Sequence, residues 1–207
     1  MKITNKTRYL TILAMFCSIL VVMGVTGIGF IPLPLIKATT MHIPVILGAV
    51  LLGPAAGGIL GGVFGLCSMW TNTVTPSVLS FAFSPFMTSE GLLGVCKSIW
   101  IAVGCRVLFG IAAGFLWNWL KKAFSQQFTT LAVSAAVSSM LHTVLVMGSI
   151  YVLLAQQYAA AKNVAMNAVF GLIMGTVTVS GIPEAILASV LVAVIGKTLL
   201  KILAGLK

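Results

Sequence analysis

Apolar runs long enough to cross a bilayer follow one another along most of this chain, and its few charged residues stand at the ends of those runs. Apolar residues make up 60% of the 207 residues, and charged residues only 7%. A soluble protein needs a far more highly charged surface. The length holds roughly six spans of about 20 residues with short connectors. We therefore predict an all-α polytopic membrane protein of six transmembrane helices, with residues 1–207 forming a single integral-membrane domain.

The basic residues indicate how these spans are oriented. They cluster before the first span, after the fourth and at the end of the chain, at Lys2, Lys6, Arg8, Lys121, Lys122, Lys197, Lys201 and Lys207. The positive-inside rule places all three clusters in the cytoplasm. Both termini are then cytoplasmic, and the connectors after the first, third and fifth spans are extracellular. The cations do not form a basic face along any element, so we expect no nucleic-acid partner.

Prolines, glycines and charges set the ends of the predicted spans. Pro32 and Pro34 are expected to end the first helix, because proline lacks an amide donor and restricts the residue before it. The last apolar stretch is too long for one span, and Ser180–Pro183 is expected to break it into a short arm and a final helix. The predicted spans are about Tyr9–Ile31, His42–Gly53, Ala55–Trp70, Gly104–Leu120 and Thr130–Leu154, followed by the stretch Val164–Leu206.

Two connectors lack the charged, solvated character of ordinary loops in membrane proteins. The first is the proline-punctuated segment IPLPLIKATTMHIP, and the second is the aromatic and hydroxyl-rich segment that follows Trp70. Trp70 is predicted outside and Lys121 inside, so the single span Gly104–Leu120 is enough to connect them. The segment Thr71–Val103 then lies outside the membrane as one cap. We predict that the outer connectors fold over one small-molecule site at the membrane face.

The glycines of the third span recur at three- and four-residue spacing, which predicts a smooth groove on one helix face. The groove serves either close helix packing or contact with a ligand. These glycines are Gly57, Gly58, Gly61, Gly62 and Gly65. The sequence has no Walker A pattern, no metal-ligand spacing and no catalytic Ser/His/Asp set. We therefore expect no enzymatic activity and no cofactor or metal on this chain, with ATP used only through partner proteins.

Acidic residues are scarce, since Glu90 and Glu184 are the only two in the chain. An ionisable residue at membrane depth is usually paired and marks a functional path. Arg106 is predicted at a similar depth to Glu184, so we expect these two to form an ion pair. The pair either braces the fold or touches the ligand.

Three lysines are expected on the outer side, where they favour an anionic ligand unless they simply reach towards lipid headgroups. They are Lys37, Lys97 and Lys162. Lys97 carries most of this interpretation, because aromatic and amide side chains lie near it in the predicted cap. The predicted substrate-binding residues are Trp70, Asn72, Thr73, Phe83, Lys97, Arg106, Asn163, Asn167 and Glu184.

Three further features each allow more than one interpretation. Asn163 and Asn167 lie one helical turn apart and either point together at a ligand or cap a helix. His142, a lone histidine in the fifth span, is expected to hydrogen-bond between helices rather than to bind a ligand or carry a proton. Ala14 and Ser18 form a small-xxx-small pair that lets another helix, of this chain or of a partner, approach closely.

The sequence resembles the substrate-binding S components of energy-coupling factor (ECF) vitamin transporters over nearly its whole length. The segments that carry the resemblance are KATTMHIPVILGAVLLGPAAGGILGGVFGL, SFAFSPF, GCRVLFGIAAG, HTVLVMGSIYVL and SGIPEAI. The resemblance implies a six-helix protein of a prokaryotic cell membrane that binds one vitamin at its outer face. It also implies docking onto a transmembrane T component with two cytoplasmic ATPases, and release of substrate by toppling. Ala14 and Ser18 match the family's motif that contacts the T component.

Within this family, SFAFSPF together with Arg106 and Glu184 resembles the pantothenate-specific branch, and a small amphipathic anion suits a cationic, aromatic cap. Members that take riboflavin, folate or hydroxymethylpyrimidine share the scaffold. The second hypothesis, after vitamin capture, is a free-standing secondary transporter. In it, Glu184 and His142 would relay a proton. A membrane scaffold without a ligand is the third. We predict vitamin capture for an ECF importer.

Overall fold

The computed structural model describes residues 5–32, 37–88 and 90–205, and these residues form six continuous helices and one short hairpin. Two of the helices contain a π-helical turn. The elements are α1 Asn5–Thr26, β1 Phe30–Pro32, β2 Lys37–Thr39, α2 His42–Leu52, α3 Pro54–Val74, a 3-10 turn Ser80–Ala82, α4 Gly91–Ile99, a π turn Trp100–Gly104, α5 Cys105–Ala123, α6 Gln127–Lys162, α7 Met166–Thr176, a π turn Val177–Gly181 and α8 Ile182–Gly205. The strands pair antiparallel, with Phe30 opposite Thr39.

Four helical stretches of the described chain are long and apolar enough to cross a membrane: Lys6–Thr26, Gly91–Ala123, Gln127–Lys162 and Met166–Leu203. The helix α2 is apolar but shorter. Together they confirm the prediction of an all-α membrane protein. Which face of the bundle lies in the cytoplasm stays a prediction from the positive-inside rule.

The first helix ends earlier than predicted. It stops at Thr26, and Gly27 follows with a φ of 75°, a left-handed conformation that glycine adopts without strain. The chain then enters the hairpin, in which Pro32 is the last residue of β1. The prediction that prolines end this helix was therefore wrong for Pro32, and Pro34 lies outside the described residues.

The predicted cap Thr71–Val103 is also corrected. The helix α3 continues to Val74, and α4 begins at Gly91 and runs through the π turn into α5 without interruption. The non-helical cap is therefore confined to residues between these helices, and residues 75–88 are called the cap segment here. The prediction assumed that the fourth helix is no longer than the bilayer is thick, whereas Gly91–Ala123 has 33 residues.

The last two helices are also longer and more continuous than predicted. The helix α6 extends beyond the predicted end at Leu154 to Lys162, with a kink at Leu154, whose φ of −135° is not helical. The last helix does not break at Ser180–Pro183 but continues from α7 into α8. Pro183 follows directly after the π turn Val177–Gly181, and a locally widened helix tolerates the missing amide donor of proline.

The glycines of α3 pack against the backbone of α5. A Cβ atom added at Gly57 would overlap the carbonyl oxygen of Gly110, and one at Gly61 would overlap that of Arg106. At Gly65 a Cβ would lie 2.7 Å from the carbonyl oxygen of Ala102. Of the two interpretations of these glycines, the contacts support close helix packing. This packing fixes the backbone from which the Arg106 side chain projects.

The hairpin lies at the opposite end of the bundle from the start of α1 and the end of α8. Arg8 Nη2 donates a hydrogen bond to the carbonyl oxygen of Leu203 at 2.9 Å, which joins the start of α1 to the end of α8. At the other end of α8, Glu184 Oε1 accepts a hydrogen bond of 2.9 Å from the Thr39 amide of the hairpin. At 1.5 Å per residue these two contacts are roughly 28 Å apart along the helix, about the thickness of the hydrocarbon core.

Candidate ligand-binding site

A cavity of about 70 Å³ lies between the cap segment, α5, α6 and the α7–α8 helix. It combines one cation, one carboxyl group, one imidazole and three hydroxyls with apolar side chains. The residues around it are Phe83, Arg106, His142, Thr143, Val146, Met147, Thr176, Ser180 and Glu184. A few polar groups set among apolar walls are typical of sites that bind small molecules.

Arg106 is the buried cation of this cavity, with only 4% of its surface exposed. Its guanidinium lies against the rings of Phe64 and Phe83, with Cζ 4.6 and 5.3 Å from their centroids. Nη1 donates to the carbonyl oxygens of Ile101 and Ala102, at 3.2 and 2.8 Å, in the preceding π turn. Nε is buried and has no partner among the described residues. The guanidinium is therefore held in place with its Nε donor unused.

Glu184 lines the same cavity but does not form the predicted ion pair with Arg106. Its Oε1 accepts the hydrogen bond from the Thr39 amide, which ties the hairpin to the first turn of α8. An ion pair is formed elsewhere, between Lys97 Nζ and Glu90 Oε2 at 2.7 Å. Arg106 and Glu184 each bond to backbone groups instead, so both side chains line the cavity without a direct ion pair between them.

His142 forms one wall of the cavity, which the sequence interpretation did not predict. Its ring stacks on that of His42 at 6.1 Å and 16°, and it lies 5.4 Å from the Phe64 ring and 5.0 Å from the Phe109 ring. The Nε2 atom of His142 has no hydrogen-bond partner among the described residues. The expected helix-to-helix hydrogen bond is made by the other histidine, since His42 Nε2 lies 3.3 Å from Ser139 Oγ.

Several lining residues were missed, although their spacing carries a signal. Thr176, Ser180 and Glu184 recur every fourth position, which places them on one face of a continuous helix. The prediction of a break at Ser180–Pro183 removed that continuity and hid the pattern. On α6, His142, Thr143, Val146 and Met147 also follow helical spacing, but apolar and hydroxyl residues at such spacing are common at packed helix faces.

Asn72 and Thr73, both predicted ligand residues, fasten the cap segment to α3. Asn72 Oδ1 accepts a hydrogen bond from Ser80 Oγ at 2.9 Å, and Thr73 Oγ1 lies 2.8 Å from Ser84 Oγ. These contacts hold the segment between the two serines, and Phe83 from that segment reaches the cavity. The two polar residues therefore act on the cavity through the position of Phe83.

The other predicted substrate-binding residues do not line the cavity. Trp70 is 60% exposed on α3, and Lys97 is engaged with Glu90 near the surface. Asn163 ends α6 in a left-handed conformation, with a φ of 51°, so its backbone has the capping role that was one of the two interpretations. Asn167 is exposed on α7. A direct role of these residues in binding stays a prediction.

Two predictions concern residues farther from the cavity. Ala14 and Ser18 are exposed on α1, and Ser18 Oγ donates to the carbonyl oxygen of Ala14 at 2.9 Å, which leaves a narrow helix surface. The Lys37 backbone is part of β2, whereas its side chain lies outside the described residues. Lys162, the third predicted outer cation, lies in the last turn of α6.

Comparison with known families bears directly on what this cavity serves. The family model for the ECF transporter, substrate-specific component, matches residues 8–196. The chain belongs to this family. The pantothenic acid transporter PanT of Lactococcus lactis subsp. cremoris (strain MG1363) is 32% identical over 201 residues, covering 95% of this chain and 96% of the relative. The pantothenate transporter PanT of Leuconostoc mesenteroides subsp. mesenteroides is 28% identical over 214 residues, covering 98% of both chains.

Membership of the ECF substrate-specific component family confirms the resemblance that the sequence motifs indicated. As such a component, the protein is a multi-pass protein of a prokaryotic cell membrane, in agreement with its four membrane-capable helical stretches. The family is one of transporters, not of enzymes. The cavity is accordingly interpreted as a binding site for a transported small molecule.

Proposed function

We propose that this protein is the pantothenate-binding S component of an ECF-type ATP-driven importer. The observation that carries the proposal is Arg106, a buried guanidinium beside the cavity with an unused Nε donor. A buried charge normally has a partner of opposite sign, because its desolvation is otherwise costly. A ligand carboxylate supplies that partner. Two relatives whose names state pantothenate transport support this choice of anion.

The other groups around the cavity suit the rest of the pantothenate molecule. Pantothenate carries its carboxylate at one end, an amide in the middle, and hydroxyl groups with a branched apolar centre at the other end. Thr143, Thr176 and Ser180 offer hydroxyls for the amide and hydroxyl groups, while Val146 and Met147 offer an apolar wall. When ionised, Glu184 can only accept hydrogen bonds, so it favours the hydroxyl end of the ligand over the carboxylate.

The small size of the cavity supports a proposal that the elements covering it move when a ligand binds. At about 70 Å³ it is smaller than the roughly 300–1,000 Å³ typical of ligand sites. Two non-helical elements contribute to this end of the bundle and are the proposed lids. The hairpin is bonded to Glu184 through Thr39, and the cap segment carries Phe83. We propose that both shift outwards when pantothenate enters and close over it afterwards.

The proposed transport cycle depends on partners. In it, the protein binds no cofactor and has no ATPase; a transmembrane T component and two cytoplasmic ATPases use ATP to drive toppling and release. Ala14 and Ser18 are the proposed contact with the T component, because their exposed small side chains permit close helix approach. Vesicles containing this chain together with those partners should accumulate pantothenate when supplied with ATP. Uptake by this chain alone, driven by a pH gradient, would support the secondary-transporter hypothesis instead.

The ligand assignment is tested with the purified protein and a panel of pantothenate, riboflavin, folate and hydroxymethylpyrimidine, without ATP. Native mass spectrometry after removal of free ligand should show one retained pantothenate per chain. Retention of a different vitamin would keep the protein an S component but overturn the substrate. A protein that retains no vitamin at micromolar concentration would contradict the proposed function itself.

A further inference from the structure

His142 lines the cavity and carries a ring nitrogen without a hydrogen-bond partner among the described residues. The residue is 5% exposed, and its Nε2 atom is buried without a partner among the described residues. A buried polar atom left unpaired costs about 1–3 kcal/mol. Its neighbours along α6, Ser134 and Ser138, also have unpaired hydroxyls, but they do not line the cavity. Unlike the two serines, His142 therefore has both an unpaired hydrogen-bonding atom and a place in the lining of the cavity.

Aromatic contacts hold the His142 ring in this position. His42 stacks on the ring, and Phe64 and Phe109 contact it at centroid distances of 5.4 and 5.0 Å. The stacked His42 is itself placed by its contact with Ser139 Oγ. The imidazole consequently meets the cavity with its orientation set before a ligand arrives, which limits the entropy lost on binding.

Arg106 presents its own unused donor close to the same aromatic ring. The Arg106 guanidinium and the His142 imidazole both lie against Phe64, at 4.6 and 5.4 Å from its centroid. Arg106 Nε and His142 Nε2 are thus two buried nitrogen atoms without partners, on two residues of one cavity wall. A carboxylate has two oxygens that accept hydrogen bonds, and it matches a pair of donors better than a hydroxyl does.

We infer that His142 is a specificity-determining residue whose Nε2–H donates to the ligand carboxylate alongside Arg106. The inference rests on the proposed function and adds to it a reason for selecting acids over neutral analogues. Arg106 supplies the charge, and His142 supplies a second, directional donor. A ligand with a primary alcohol in place of the carboxylate leaves both donors poorly matched in a desolvated site.

The variant His142→Phe separates binding from folding. Phenylalanine keeps an aromatic ring for the contacts with His42, Phe64 and Phe109, and it removes the unpaired nitrogen. We therefore expect the melting temperature of the ligand-free protein to stay equal or to rise. The variant His142→Gln retains an amide donor, and Ser138→Ala removes an unpaired hydroxyl outside the cavity as a matched control.

The test compares the affinities of each variant for pantothenate and for pantothenol, in which the carboxylate is replaced by a primary alcohol. We expect H142F to bind pantothenate roughly 10–100-fold more weakly and pantothenol within about threefold of wild type, so that acid selectivity falls. H142Q should recover part of the selectivity, and S138A should match wild type.

Equal weakening of both ligands by H142F, or no weakening at all, would overturn the role of His142 while leaving the proposed function intact. A wild-type protein that binds neither compound would instead contradict the proposed function. The two failures are therefore distinguished by the wild-type titration alone.

Discussion

Arg106 shows how a cation is kept inside this bundle. Its Nη1 bonds to two carbonyl oxygens of its own helix, and two aromatic rings cover the guanidinium. Cation–π contacts contribute about 2 kcal/mol when desolvated, which offsets only part of the cost of burying a charge. The remaining cost is removed when an anion binds, so the affinity for an acid is expected to depend strongly on this one residue.

Arg106 and Lys97 therefore make a matched pair of substitutions. Arg106→Gln should weaken pantothenate binding roughly 100-fold or more, because it removes the charge and the planar set of donors. Lys97→Gln should change the affinity by less than about twofold, because Lys97 is paired with Glu90 at an exposed site where ion pairs contribute little. Calorimetric titration of both variants measures this, and a comparable loss in the lysine variant would return Lys97 to the site.

At the scale of residues, three of the predicted binding residues line the candidate cavity: Phe83, Arg106 and Glu184. Arg106 and Glu184 were predicted because a rare charge in an apolar helix is a strong signal, and Phe83 because it is an aromatic side chain of the predicted cap. Lys97 lies on α4, outside the cavity, because this helix begins earlier than predicted, and its direct role in binding stays a prediction. His142 was named but given a structural role, because a lone histidine does not reveal from the sequence which side of the helix meets a cavity.

At the scale of elements, the two π turns lie next to the two charged residues of the site. Trp100–Gly104 precedes Arg106, and Val177–Gly181 precedes Glu184. A π turn leaves carbonyl oxygens out of the regular helical pattern, and the first turn uses two such oxygens to bind Arg106. Such turns have no strong sequence signature, so the continuous helices around them were predicted as separate elements.

Close contact between α3 and α5 gives a prediction for stability. Gly61→Ala would press a methyl group onto the backbone of Arg106 and Val107, and we expect it to lower the free energy of unfolding by about 1–3 kcal/mol. Gly62→Ala at the next residue is the control. A Cβ added there would lie 3.6 Å from Val107 Cγ2, an ordinary contact distance, so we expect no loss of stability. Thermal unfolding in detergent compares the two, and equal melting temperatures would mean that the helices are farther apart than described.

The hairpin is coupled to the site through one hydrogen bond, and this predicts a change in amide exchange. Glu184→Ala removes the acceptor for the Thr39 amide, whereas Glu184→Gln keeps an oxygen in its place. Loss of a hydrogen bond of about 1 kcal/mol should speed exchange in the β2 segment several-fold in the alanine variant only. Hydrogen–deuterium exchange measured by mass spectrometry reports this directly. Identical rates in both variants and wild type would show that Glu184 does not hold the hairpin.

At the scale of the whole molecule, the candidate cavity lies at the opposite end of the bundle from the start of α1 and the end of α8. The contact between Arg8 and Leu203 joins the ends, and the contact between Thr39 and Glu184 closes the other face. Hydropathy and lysine positions predicted this general arrangement, because both reflect the bilayer. The cavity did not follow from them, since it depends on how helices far apart in the sequence meet.

Calorimetric titration of the purified, detergent-solubilised protein with pantothenate, in the absence of ATP and of any partner protein, shows whether this chain captures the vitamin by itself. Capture by this chain alone predicts saturable binding of one pantothenate per protein at micromolar concentration or below. It also predicts no comparable heat from riboflavin, folate or hydroxymethylpyrimidine. The absence of saturable pantothenate binding, in protein shown to be folded by its thermal transition, would contradict it.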